Sequence, residues 1–208
     1  MRTFCSITLL AILQYMVFAV AEGQQTNTIG DGVVVNASIF FDNRYYNASV
    51  TRKVDVTNDL RNVVKLAQEY LLTKSIKVNF SVLTVQNRSD YLELYENNTI
   101  NGQVTLQKMT KLAESLQAPN NSIYYHFAGY VIYGKLDQLD WNPYGVSDIA
   151  TNGTFCHSPS AAIIQYFPGS SNIRAFVSAT AHIFGAKGRT HFDTEDIKTM
   201  NETFAKCK

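Results

Sequence analysis

The sequence predicts an α/β fold, a sheet with helices packed on it in a single domain. Two observations carry this. Apolar residues recur at helical spacing in three separate stretches, and short apolar or alternating stretches lie between them. No internal repeat, low-complexity tract or Pro/Gly-rich linker divides the chain from about residue 28 to the end.

In chain order, residues 33–41 (VVVNASIFF) read as a largely buried strand. Residues 55–73 read as a helix. Leu60, Val63, Val64, Ala67, Tyr70 and Leu71 form its apolar face, and Thr57 is a candidate N-cap. Residues 76–85 alternate, with Ile76, Val78, Phe80 and Val82 on one side and Lys77, Asn79 and Ser81 on the other. Residues 103–116 form a second helix, with Leu106, Met109, Ala113 and Leu116 on one face. Residues 123–133 (IYYHFAGYVIY) and 161–167 (AAIIQYF) read as strands, and residues 172–186 as a third helix.

The first 21 residues read as a signal peptide: Arg2, then the apolar run SITLLAILQYMVFAV, then Ala19-Val20-Ala21 as a small-residue cleavage site. The run is too short for a membrane anchor. Residues 22–208 are then a secreted mature chain with 18 − 1 = 17 basic and 17 acidic residues. A net charge near zero offers no field to recruit nucleic acid or an anionic membrane. Cys5 leaves with the signal peptide. Cys156 and Cys207 remain, and in an oxidising compartment such a pair most simply forms one disulfide. Closing a loop of about 50 residues is worth roughly 4 kcal/mol. Eight N-x-S/T sequons, at Asn36, Asn47, Asn79, Asn87, Asn97, Asn120, Asn152 and Asn201, call for water-facing asparagines along the whole chain.

The stretch SATAHIFGAKG, residues 178–188, taken alone reads as an apolar helix with a packed core histidine, His182, and keeps only H-x-x-G of a zinc-helix pattern. In HExxHxxGxxH, two histidines four apart share a helix face and reach one metal ion. The glutamate serves as base for the metal-bound water, and the glycine turns the chain so that a third histidine returns to the ion. Here His182 and Gly185 are retained. Ser178 stands at the first histidine, Ala179 at the glutamate and Gly188 at the third histidine.

Around this stretch the chain resembles the reprolysin (adamalysin-like) branch of the metzincin metalloproteases. VVVNASIFFDNRYYN resembles that family's first strand, and VVKLAQEYLLTKSIKVNFSVLTVQ its next helix and strand. YGVSDIATNGTFC with SAAIIQYF resembles its Gly-x-Ala-Tyr-x-Gly-x-x-Cys segment and the following edge strand. Thr199-Met200-Asn201 is similar to a shortened Met-turn, and Phe204-Ala205-Lys206-Cys207 to the Phe-Ser-x-Cys close. The resemblance implies a metzincin-like mixed sheet and a Cys156–Cys207 disulfide.

The departures imply that the activity is lost. His191 lies three residues beyond the third-ligand position, so His182 and His191 are the remaining candidates for a metal. Two histidines fall short of the three protein ligands that zinc takes. No cofactor is expected. A Ser178–His182 pair at i, i+4 lacks a nucleophile-elbow pattern and has only Asp193 as an orienting acid. His126 reads as a core histidine in an apolar strand, and His157 as a loop residue.

The expectation is therefore a secreted, glycosylated, catalytically inactive metalloprotease-like protein that binds another protein. In the family, substrate lies along the sheet's edge strand, here resembling residues 161–167, and strand addition there needs no zinc. Tyr124-Tyr125 and Trp141-Asn142-Pro143-Tyr144 are candidate anchors. The chain also resembles secreted salivary proteins of blood-feeding arthropods such as ticks. That resemblance implies a host immune or haemostatic partner, for example an immunoglobulin or a lymphocyte factor. The alternative is an active secreted zinc metalloendopeptidase with a divergent metal site.

Overall fold

The computed structural model describes residues 28–95, 98–134 and 145–207. The signal-peptide reading, the Asn97 sequon and the Trp141–Tyr144 anchor lie outside the described residues. Within them the chain forms one α/β domain. Its five-stranded mixed sheet runs in the order β2-β1-β4-β8-β7, and a three-stranded sheet in the order β3-β5-β6. The strands are β1 (Ile29–Phe41), β2 (Ile76–Asn87), β3 (Ile100–Asn101), β4 (Ser122–Ala128), β5 (Ile132–Tyr133), β6 (Gly145–Val146), β7 (Asp148–Ala150) and β8 (Ser160–Gln165). The helices are α1 (Asn43–Arg52), α2 (Val56–Thr73), α3 (Gly102–Ser115), α4 (Arg174–Ile183) and α5 (Thr194–Phe204). β1, β2, β4 and β8 are mutually parallel, and β7 runs antiparallel to β8.

Strand alternation splits the apolar residues between the two faces of the sheet. On one face Val35, Ala37 and Ile39 of β1, Ile123, Tyr125 and Phe127 of β4, and Ala162 and Ile164 of β8 form the larger core. Leu60, Val63, Val64, Ala67 and Leu71 of α2 cover it, together with Phe176 and Val177 of α4 and Met200 and Phe204 of α5. Phe176 centres this core, with its ring 4.7 Å from that of Tyr125 and 5.9 Å from that of Phe127. On the other face Phe40, Tyr124, Ala161 and Ile163 pack under Leu106, Met109 and Ala113 of α3.

Several details depart from the sequence-based expectation. The 123–133 stretch splits into β4 and β5, separated by Gly129–Val131. A Cβ on Gly129 would lie 2.4 Å from the Tyr45 nitrogen, so α1 crosses where the strand would otherwise continue. The cap of α2 is Asp55, whose carboxylate accepts from the Asn58 N–H, and Thr57 lies inside the helix. Helix α1 buries only Tyr45 and Ser49 and so carries little apolar periodicity. Thr199-Met200-Asn201 is helical, within α5, and is not a turn, although Met200 is fully buried. Residues 161–167 are not the sheet edge, because β7 pairs along the outer side of β8. Tyr124 and Tyr125 are buried and anchor the core rather than a surface.

Candidate functional site

Helix α4 presents Ser178 and His182, one turn apart, to a cleft beside β7. A cavity of about 440 Å³ is lined by Asp148, Ser178, Arg174 and Arg189, among others, and an adjoining one of about 220 Å³ by Asp148, Ser178, His182 and Arg189. Ser178 Oγ donates to Asp148 Oδ2 at 2.9 Å, and Ser147 Oγ donates to Asp148 Oδ1 at 2.6 Å. Arg189 Nη2 stands 3.8 Å from Asp148 Oδ1. The only carboxylate lining either cavity among the described residues thus already accepts two hydroxyl bonds beside a guanidinium. Ala179 does not line the cleft. It is fully buried in the larger core.

Past α4 the chain turns at Gly185, whose φ of +98° is a left-handed conformation that favours glycine. The Gly185 N–H donates to the His182 carbonyl at 2.9 Å. The following loop is held by Asp196, which is buried. Its carboxylate accepts from the Lys187 N–H at 2.7 Å, the Gly188 N–H at 3.2 Å and the Asp193 N–H at 3.4 Å. Asp193 accepts in return from the Asp196 N–H at 2.8 Å, completing a capping box at the start of α5. A Cβ on Gly188 would lie 2.2 Å from the His191 carbonyl oxygen and 2.6 Å from Asp196 Oδ2. The position read from the sequence as that of a third ligand is therefore filled by backbone and by the Asp196 carboxylate.

His191 is exposed, with Nδ1 3.4 Å from Thr190 Oγ1, and does not line the cavity that His182 lines. Among the described residues no three His, Cys, Asp or Glu side chains converge as a metal site. The described side chains around His182 do not supply the three protein ligands that zinc takes. His157 is an exposed loop residue. His126 is fully buried. Its Nδ1 lies 2.7 Å from Tyr91 Oη and its Nε2 3.4 Å from Asp42 Oδ2. Asp42 also accepts from the Tyr45 N–H at 2.7 Å, capping α1, and from the Gly129 N–H at 3.0 Å. Sequence reading placed His126 in the core but missed both partners, because Asp42 and Tyr91 lie far from it in sequence. Burial, the largest cause, pushes the Tyr91 hydroxyl well above its ordinary range.

Cys156 and Cys207 form a disulfide with Cα atoms 5.0 Å apart, joining the segment before β8 to the 3-10 turn that follows α5. Asn47, Asn79, Asn87, Asn120, Asn152 and Asn201 are exposed, and Asn36 is half-buried within β1. No helix among the described residues is long and apolar enough to cross a membrane.

No family model and no curated protein matches the chain. Its fold is similar to that of metalloproteinase-II from Bacteroides fragilis, with a TM-score of 0.51 and 12% identity over 87% of this chain and 55% of that one. The chain thus spans about half the length of that structure. A chaperone–substrate complex matches with a TM-score of 0.45 and 8% identity, covering 74% of this chain and 26% of that one. The fold is that of a metalloproteinase-like α/β domain.

Proposed function

We propose that this chain is a secreted, glycosylated, catalytically inactive relative of the metalloproteinases that binds another protein. The Ser178–Asp148 hydrogen bond carries the reading. Ser178, read at the place of the first histidine, is engaged by Asp148 of β7, while Asp196 and the His191 carbonyl crowd the place read as that of a third ligand. Ala179, at the position of the metalloprotease base, faces the core. Losing the base alone removes about two to four decades of rate.

The binding surface in this reading is the outer edge of β7 with the cleft beside α4. β7 terminates the sheet, so its outer backbone groups are placed to pair with an extended segment of a partner. This replaces the β8 edge expected from the sequence. Following the resemblance to salivary proteins of blood-feeding arthropods, the partner is a host immune or haemostatic protein.

Elemental analysis and peptide cleavage test this reading. The purified protein carries no stoichiometric zinc, chelator leaves its Tm unchanged, and it cleaves no peptide. One zinc per chain, lost with chelator together with proteolysis, overturns it in favour of an active zinc endopeptidase. The binding half is tested by plasma pull-down with an Ala150→Pro variant: Ser147 and Thr151 bond to β8, so by alternation the Ala150 N–H faces outward, where proline removes an edge donor and keeps the β7–β8 ladder. Equal capture by wild type and variant rules out the β7 edge.

A further inference from the structure

Half of one sheet face has no helix over it among the described residues. Helix α3 covers β4 and β8 on that face, but of β1 only Phe40 joins its cluster, and no residue of β2 does. The remainder is Val34, Asn36 and Ser38 of β1 beside Lys77, Asn79, Ser81 and Leu83 of β2. The register sets Val34 against Asn79 and Asn36 against Ser81. Parallel strands are ordinarily buried on both faces and apolar on both. This face is polar except for Val34, 42% exposed, and Leu83, 54% exposed. Among the described residues β2 is also a terminal strand of 12 residues with no strand on its outer side, the kind of edge that invites pairing with a second chain.

Both asparagines on this face open sequons, Asn36-Ala37-Ser38 and Asn79-Phe80-Ser81, and a third, Asn87-Arg88-Ser89, closes β2. The register makes Asn36 and Asn79 diagonal neighbours on adjacent strands. We propose that N-linked glycans on Asn36 and Asn79 stand where a second helical layer would, covering the β1–β2 face and shielding the β2 edge. The proposal rests on the secreted reading. The modification joins C1 of the first sugar to Asn Nδ2. It breaks the bond from C1 to the diphosphate of a lipid-linked oligosaccharide donor, and the amide loses one proton. Asn36 Nδ2 keeps its other hydrogen and with it the 3.3 Å bond to Asn121 Oδ1, so the carbohydrate is compatible with the fold. β2 and β7 lie four strands apart, roughly 19 Å at the usual strand spacing. Glycans on the β1–β2 half therefore leave the β7 cleft accessible.

The test uses the chain secreted from a eukaryotic cell line, with sequon occupancy mapped by enzymatic deglycosylation in isotopic water and peptide mass spectrometry. Asn36 and Asn79 are expected to be occupied. A Ser38→Ala/Ser81→Ala variant removes both acceptor motifs while keeping both asparagines. It is expected to shift to larger species in sedimentation and to bind more apolar dye, whereas Asn47→Gln and Asn201→Gln do neither. Trimming the folded wild-type protein with an endoglycosidase should reproduce the shift without any folding step. Occupancy at Asn47 and Asn201 with Asn36 and Asn79 bare overturns the cover and leaves the secreted reading standing. Bare asparagines throughout overturn both. Occupied sites whose removal changes neither sedimentation nor dye binding overturn the cover.

Discussion

The hydroxyl of Ser178 donates a 2.9 Å hydrogen bond to Oδ2 of Asp148, tying the middle of α4 to the outermost strand of the sheet. Both side chains are nearly buried, with Ser178 at 6% exposure and the Asp148 side chain at 8%. A short edge strand of three residues gains a fixed partner in this way, and the cleft between the two elements keeps its shape.

Ser178→Ala removes the donor and leaves a nearly buried carboxylate with one fewer bond. It should cost about 1–3 kcal/mol in chemical denaturation. In a double-mutant cycle with Asp148→Ala the two losses should be non-additive by about 0.5–3 kcal/mol. Strict additivity would show that the bond is not made in solution.

Introducing a zinc motif should fail at Gly188. Gly188→His drives a side chain into the His191 carbonyl and the Asp196 carboxylate, and loss of more than about 3 kcal/mol in a thermal or urea melt is expected. Ser178→His/Ala179→Glu places an acid in the core and still lacks a third ligand, so dialysis against zinc should yield no stoichiometric metal. A folded variant with one tight zinc would contradict the geometry.

Asp196→Ala should release the loop after α4. The carboxylate accepts backbone bonds from Lys187, Gly188 and Asp193, and its removal leaves all three without that acceptor. A cost of about 2–3 kcal/mol is expected from lost charge-assisted bonds. Hydrogen exchange should quicken first at residues 187–193. Unchanged exchange there would show that the loop is held by other contacts.

The disulfide should contribute about 4 kcal/mol, since it closes a loop with a sequence separation of 51. Cys156→Ser/Cys207→Ser should lower the denaturation midpoint accordingly, with α5 the first element to lose protection. An unchanged midpoint would show that the core alone fixes the chain end.

Alkaline titration should separate the tyrosines. Burial, the largest cause at each, raises the hydroxyls of Tyr45, Tyr91, Tyr125 and Tyr166 above their ordinary value of 10.0. A raised folded value means the folded chain binds more protons than the unfolded one above about pH 10. Stability from this source is therefore present below pH 10 and lost as pH rises beyond it. Phenolate absorbance should show these four ionising together with unfolding. Reversible ionisation in the folded state would contradict their burial.

The apolar periods that mark α2, β2, α3 and α4 are properties of short stretches, and the structure has all four within a few residues of the expected bounds. The Cys156–Cys207 pair was legible because Cys5 falls in the stretch read as a signal peptide, and only two other cysteines remain. Helix α1 escaped because it buries only two residues, and α5 because Met200 read as a turn when it is the buried side of a capped helix. Which strand is outermost was not legible. β8 is apolar enough for either place, and only pairing with three residues of β7 decides it.

The sequence by itself carries the reading of Ser178, Ala179 and Gly188 against the spacing of a zinc helix, because a one-dimensional spacing needs no partners to be read. Only the tertiary structure decided what those residues do instead. Ser178 meets an aspartate 30 positions away, Ala179 turns into the core, and Gly188 makes room for a carboxylate from the next helix. Those contacts depend on how α4, β7 and α5 pack, a long-range outcome that no local pattern encodes.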